Sequence, residues 1–386
     1  MKNNNKTILS IFLLTIIIAS YFFISFNIKN KNSGTYLKSL LSNEIKQDIV
    51  EKFFPHKLSS NKYIKELKFK ESGKDIKIKK SVINLSNNKI LEKYKLKKGF
   101  YYGINNLNPG SGYIDFYENY LFVLSSRGVL AYRKNLTNDD ENFKQIKNNI
   151  NEYIGAKQFE KKNWFSLKDI FIFKDKIFIS YTEEIKENCW NTSVIYGDIN
   201  YENIEFKKLF TPNKCIHSIE NTDKEFNAHQ SGGKIIAIDN NHILLSIGDY
   251  RNRHLAQNKK SINGKIIKIN INNNDYKIIS MGHRNPQGLL FDKKNNFILE
   301  TEHGPQGGDE INLIEVDKIN QDTIQNYGWA IASTGEHYGG KNIKKNIKKY
   351  KKYPLFKSHN EYGFIEPIKT FVPSIGISEI VQIGEH

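Results

Sequence analysis

One unit recurs along this chain: an apolar strand, a polar turn of two to four residues, and a second apolar strand. The copies are Gly112–Leu124, Leu167–Ser180, Gly232–Ser246 and Gln287–Glu300, so successive starts lie 55, 65 and 55 residues apart. β-Branched and aromatic residues crowd each arm, the composition of a pleated and partly buried strand. Further strand patterns, such as Lys265–Ile271, lie between copies. A period near 50 residues holding about four strands is the signature of a β-propeller blade; the alternative is a stack of hairpins in a sandwich. A fifth copy begins at Ser378, close to the last residue, His386. A ring of sheets must close, because an open edge invites association. The expectation is therefore an all-β fold whose last blade is incomplete, with residues 76–107 a possible source of extra strands.

Composition supports that class. The chain has 386 residues, 39% of them apolar, enough for a large core, and Tyr and Phe total 45 (21 and 24). The net charge of +17 comes mostly from Lys. A nucleic-acid role calls for Arg and for interleaved basic and aromatic clusters, and neither pattern is present. Nucleic acid is therefore not an expected partner. The densest run, Lys341 to Lys352, holds seven Lys in twelve residues and reads as a surface loop able to touch anionic lipid.

Three regions follow from hydropathy. Residues 1–33 contain an uncharged stretch from Ile8 to Ile28, long enough as a helix (about 31 Å) to cross a bilayer. With Tyr21, Phe22 and Phe23 at the positions where a cleavage site would fall, an uncleaved anchor is favoured over a cleaved signal peptide. Residues 34–107 read as a Lys-rich stalk or cap opening with an amphipathic helix over 35–54, and 108–386 as the propeller. The expected location is extracytoplasmic or periplasmic, anchored to the inner membrane. Cys189 and Cys215, the only cysteines, flank one expected strand pair (192–199 and 204–210), and their placement permits a bridge there. The alternative is two buried thiols.

Chemistry-bearing residues gather in loops. Gly282–Gly288 holds Arg284, a permanent cation with a planar fork, beside Asn285. Gly304 and Pro305 offer main-chain carbonyls in a turn, with Asp309 and Glu310 close behind. Hard oxygen donors of that kind suit Ca²⁺ better than Zn²⁺. His283 and His303 are expected to pack or hydrogen-bond within their loops. His229 stands before the third copy at the same repeat phase as Arg284, which in a propeller means the same end of the central channel. A neutral imidazole there can act as a general base.

These motifs, His229 to Gly233, Gly282 to Gly288, Glu302 to Ile314 and Asn326 to Trp329, resemble the soluble glucose/sorbosone dehydrogenase family over roughly residues 110–380. The resemblance implies a six-bladed propeller that oxidises an aldose with pyrroloquinoline quinone (PQQ) and Ca²⁺, giving a lactone and passing electrons to an external acceptor. It implies His229 as the base, Arg284 and Asn285 as quinone contacts, the carbonyls of Gly304 and Pro305 as ligands of the Ca²⁺ on PQQ, and Glu310 with the Tyr327 carbonyl as a second Ca²⁺ site. Two departures stand out. Ala228 replaces the acid that family members carry before the catalytic His. The family's Gly-rich, Gln-bearing loop has no counterpart at Lys161 to Ser166, and its later Lys/Arg quinone-binding residues would lie beyond His386, as in a truncated chain. The rival readings are a non-catalytic propeller that binds a sugar or a protein, and a Ca²⁺-dependent lactone hydrolase.

Overall fold

The computed structural model describes residues 73, 75–86, 89–96, 112–125, 128–134, 142–154, 167–319, 321 and 323–383. The expected anchor (8–28) and amphipathic helix (35–54) lie outside these. Among the described residues no helix is long and apolar enough to cross a membrane.

The strands in chain order are β1 (Asp75–Ile76), β2 (Ile78–Asn84), β3 (Ile90–Leu96), β4 (Gly112–Tyr117), β5 (Tyr120–Ser125), β6 (Leu130–Lys134), β7 (Phe143–Asn148), β8 (Leu167–Phe173), β9 (Lys176–Lys186), β10 (Cys189–Asp198), β11 (Asn203–Ile204), β12 (Lys207–Phe210), β13 (Ile216–His217), β14 (Gly232–Asp239), β15 (His242–Ile247), β16 (Lys265–Asn270), β17 (Tyr276–Met281), β18 (Pro286–Asp292), β19 (Phe297–Glu302), β20 (Asp309–Glu315), β21 (Gln325–Asn326) and β22 (Lys369–Phe371). They form four successive antiparallel meanders: β4-β5-β6-β7, β8-β9-β10-β12, β14-β15-β16-β17 and β18-β19-β20-β22. Each expected repeat copy is the first hairpin of one sheet. The arrangement is all-β with four sheets of blade type; a ring of six is not displayed by these residues.

Neighbouring sheets pack face to face. Phe122, Leu124 and Ile146 of the first sheet meet Leu167, Ile177 and Ile179 of the second. Phe178 and Val194 of the second meet Ile243 and Leu245 of the third. Leu244 and Ile266 of the third meet Leu289, Ile298 and Ile314 of the fourth. The inner sheets are therefore covered on both faces, which is why Ile243, Leu244 and Leu245, consecutive in β15, are all fully buried. The first strands β4, β8, β14 and β18 lie side by side at one edge of the stack. Acids in that row lock adjacent sheets together: Asp115 accepts the Ile172 amide at 2.6 Å and Asp169 the Ile235 amide at 2.9 Å.

Some expectations need correction, and others hold. Ser378 to Ile383 forms no strand, although its start runs against the fourth sheet, where Thr301 Oγ1 donates to the Ser378 carbonyl at 2.5 Å. Asn203–Ile204 leaves the second sheet and pairs parallel with β7, so only Lys207–Phe210 completes the pair expected there. The Lys-rich run is not a loop throughout. Asn346–Lys352 forms a short helix, α1, and two of its lysines bind Glu225 and Asp223. Residues 75–96 do supply strands: β1 extends the first sheet beyond β7, while Ile78 and Leu96 cover Val123 on its outer face. Cys189 and Cys215 are joined by a disulfide.

Candidate active site at the mouth of the inner strands

His229 sits in the short 3-10 turn Ala228–Gln230, capped by Asn227, whose Oδ1 accepts the His229 amide at 2.8 Å. The chain then turns into β14 through Gly233, where φ is +117° and a Cβ would lie 2.3 Å from Lys168 Cβ. Only glycine leaves room for the Lys168 stem to pass. The Lys168 ammonium ends on the Ala228 carbonyl at 3.0 Å. His229, Lys168, Asp169, Lys234, Gln287 and Glu379 line a cavity of about 440 Å³ at the start of the inner strands.

Electrostatics keep the imidazole neutral. Burial, followed by the charges of Lys168 and Arg251, pushes its pKa down to about 3. Burial alone brings Lys168 down to about 8. Asp169 is pushed up to about 7 by burial, against the pull of Lys234.

The structure brings the expected residues to one end of the stack. Asn285 Oδ1 accepts the Gly232 amide at 3.1 Å. With its amide turned to satisfy every neighbour, Gln230 accepts from Arg284 at 2.8 Å and Arg251 at 3.2 Å, and donates to Asp249 at 2.9 Å. Arg284 Nη1 donates to the His303 carbonyl at 2.6 Å, beside Gly304 and Pro305. The Trp329 and Tyr338 rings flank the guanidinium at 5.6 and 5.8 Å. His229 and Arg284 nonetheless line different cavities. The one that Arg284 reaches is about 130 Å³ and holds Arg251, Arg253, Trp329 and Tyr338. Arg284 lines this smaller cavity, and both Arg284 and Asn285 spend donors or acceptors on protein partners.

The acidic pair behaves unlike two solvated carboxylates. Asp309 is fully buried and accepts from His303 Nδ1, the Gly304 amide, Ser374 Oγ and the amides of Ile375, Gly376 and Ile377. It organises the Gly304–Pro305 turn, and its oxygens are already taken. A Cβ on Gly304 would meet the Gly308 carbonyl at 1.5 Å, so the turn requires glycine there. Glu310 is buried within a group containing Glu300, Glu302 and Asn312. The Tyr327 ring stacks on His283, which hydrogen-bonds Glu302, so Tyr327 and Glu310 border the same acidic group from different sheets. His283 hydrogen-bonds both to Ser280, three residues back, and across to Glu302 on β19, while His303 stays local.

The residue chemistry fits the implied groups. Lys168 and Lys234 line the larger cavity, Lys234 already ion-paired with Asp169 and Glu379, and Arg251 and Arg284 line the smaller one; these four cations are the groups that would meet an aromatic polyanion such as PQQ. Buried carboxylates with an orphaned oxygen, Glu300 Oε1, suit a hard cation. Sequence reasoning missed Lys168, Gln230, Asp249 and Arg251. Only their place in the repeat, at the starts and ends of inner strands, could have pointed to them.

The model of the Glucose / Sorbosone dehydrogenase family matches residues 166–385, more than half of the chain. Aldose sugar dehydrogenase YliI of Escherichia coli is 27% identical over 181 residues, covering 43% of this chain and 44% of the relative. Quinoprotein glucose dehydrogenase B of Acinetobacter calcoaceticus is 32% identical over 131 residues, 26% of each chain. The chain thus spans less than half the length of the curated relatives it matches. Among solved structures, apo soluble aldose sugar dehydrogenase of Escherichia coli superposes with a TM-score of 0.53 at 20% identity, over 69% of this chain and 73% of that one. The two share a fold, and the motif spacing, the sheet stack and the matched segment agree: the chain belongs to the glucose/sorbosone dehydrogenase family.

Proposed function

We propose that this protein oxidises an aldose-type sugar to its lactone, with PQQ and Ca²⁺ as cofactors and an external acceptor taking the electrons. The observation that carries the reading is the convergence of His229, Arg284 and the Gly304–Pro305 turn on one end of the inner-strand row. The names of the quinoprotein and aldose dehydrogenase relatives support the chemistry.

When bound, the quinone supplies the hydride acceptor and Ca²⁺ the Lewis acidity that polarises it. The chain's own groups do the rest. His229, held neutral by burial and by Lys168, is ready to take the proton of the anomeric hydroxyl. Arg284, fixed between Trp329 and Tyr338, presents a constant positive charge toward the developing negative charge. Lys168 and Lys234 rim the cavity beside Asp169 and Glu379, the two carboxylates that Lys234 already holds. The carbonyls of Gly304 and Pro305, in the turn that Asp309 organises, would hold the cation, as would Glu310 with the Tyr327 carbonyl at the second site. Asn285 orients the loop that carries Arg284.

We place the protein outside the cytoplasm, tethered by residues 8–28; the Cys189–Cys215 disulfide supports an oxidising compartment. Titrating the full chain with PQQ and Ca²⁺ and following dye reduction with several aldoses tests the function. Turnover that needs both cofactors is expected. Binding of PQQ with no turnover would leave a sugar- or protein-binding propeller, and lactone hydrolysis without PQQ would make His229 a water-activating base.

A further inference from the structure

Strands β2 and β3 form a hairpin that belongs to none of the four meanders. Its base is packed: Ile78 and Leu96, opposite each other in the ladder, cover Val123. Toward the turn the cover ends. Val82, Ile83, Leu85, Ile90 and Leu91 are each between 42% and 65% exposed. A ribbon lying on a core hides one face and wets the other, so its apolar residues alternate. This tip does not alternate. Cross-strand partners share a face, so Ile83 and Leu91 lie on one face while Val82 and Ile90 belong to the other. A protein surface laid against either face would leave the opposite apolar face in water.

Behind the tip, lysines stand on both faces. Lys80 shares the face of Val82 and Ile90, and Lys79, Lys93 and Lys95 share that of Ile83 and Leu91. Residues 78–96 hold five Lys against one acid, Glu92, which bridges Lys80 at 2.8 Å. Tyr94 sits opposite Lys80, at the level of this collar. An apolar end, then Tyr and a ring of cations, matches the layers of a lipid surface, where acyl chains lie beneath anionic headgroups. Depth is limited by the backbone. Among the described residues no third strand pairs with β2 or β3, and their outer N–H and C=O groups cannot be left bare in hydrocarbon. Only the tip can enter, to the boundary between headgroups and acyl chains.

We propose that the β2–β3 hairpin docks the protein onto an anionic bilayer. Val82, Ile83, Leu85, Ile90 and Leu91 dip below the headgroups, and Lys79, Lys93 and Lys95 meet the headgroup phosphates. The inference rests neither on the sugar chemistry proposed above nor on a tether at residues 8–28.

The test uses the full chain with its disulfide intact and one cysteine added at a time. Ile83→Cys and Ile90→Cys mark the two faces of the tip, and Lys293→Cys marks the exposed turn between β18 and β19 as a control. Each is labelled with an environment-sensitive fluorophore and mixed with vesicles of phosphatidylcholine, alone or with phosphatidylglycerol added. Anionic vesicles should shift both tip labels to the blue and shield them from acrylamide, a neutral quencher in the water, while the control label stays open to it. Changing Lys79, Lys93 and Lys95 together to Gln spares the Lys80–Glu92 pair and should return the tip labels to their phosphatidylcholine values. Tip labels that ignore the vesicles, or that respond equally to both lipid mixtures, would overturn the proposal. So would shielding of only one face, which is the mark of a protein surface. Shielding that needs no lipid and grows with protein concentration would assign the tip to a second copy of the chain instead.

Discussion

Asn285 Oδ1 accepts the backbone amide of Gly232 at 3.1 Å across 53 residues of sequence. That bond ties the loop carrying Arg284 to the turn carrying His229, at the point where two neighbouring sheets begin. Replacing Asn285 with Ala leaves a half-buried amide unpaired, a loss of about 1–3 kcal/mol. Urea denaturation should show it, and the variant should lose activity as well, because the two loops are no longer held in register.

Asp249 is the counter-charge of the arginine cluster. It is fully buried, accepts Trp329 Nε1 at 2.7 Å and the Arg251 amide at 2.8 Å, and faces the charges of Arg284 and Arg253. Asp249→Asn keeps the shape and removes the buried negative charge that faces Arg284 and Arg253. The expected cost is about 3 kcal/mol by chemical denaturation, and a variant as stable as the parent would show the cluster to be balanced elsewhere.

His229→Gln should lower kcat by about 10²–10⁴ while leaving the melting temperature nearly unchanged, since the side chain lies on the cavity wall. With the imidazole held neutral down to about pH 3, the parent should show no acid limb from His229 near the usual histidine value. Removing one of the charges that depress it, by Lys168→Met, should raise the His229 pKa, which an NMR titration of the ring protons would read directly.

Acid stability should report Glu225. Burial pushes its carboxyl up, but Arg253, bound at 2.8 Å, and Lys349 outweigh burial and hold it at about 2. A depressed acid favours the folded state above its unfolded value of about 4.3 and gives up that contribution as pH falls toward the folded value. Between pH 5 and pH 2 the parent should therefore lose melting temperature faster than Glu225→Gln, and parallel curves would remove Glu225 from the account.

The Cys189–Cys215 bridge closes a loop with a sequence separation of 26. Loop closure of that length is worth about 3 kcal/mol. Reduction, or the paired change to Ser, should lower the denaturation midpoint by a corresponding amount while leaving the antiparallel pairing of β9 and β10 in place, as hydrogen exchange would show.

Much of the fold could be read along the chain, and the reason is periodicity. Strand alternation and turn residues are local properties, so the four copies from Gly112, Leu167, Gly232 and Gln287 each became the opening hairpin of a sheet. The shared repeat phase likewise carried His229 and Arg284 to the same end, because equal phase fixes equal position in stacked sheets. Pairing that depends on distant surfaces was not legible. The sequence does not say that Asn203–Ile204 crosses to β7, nor that Ser378 to Ile383 stays outside a sheet.

The residue types at the site belong to the sequence; their protonation, partners and depth belong to the tertiary structure. Asp309 and Glu310 are adjacent in the chain and look alike there. Folding surrounds one with hydrogen-bond donors and places the other among carboxylates, so the first braces a turn and the second lies in a buried acidic group. Alternation along a strand sends neighbours to opposite faces, but what waits on each face is decided by chain segments tens of residues away.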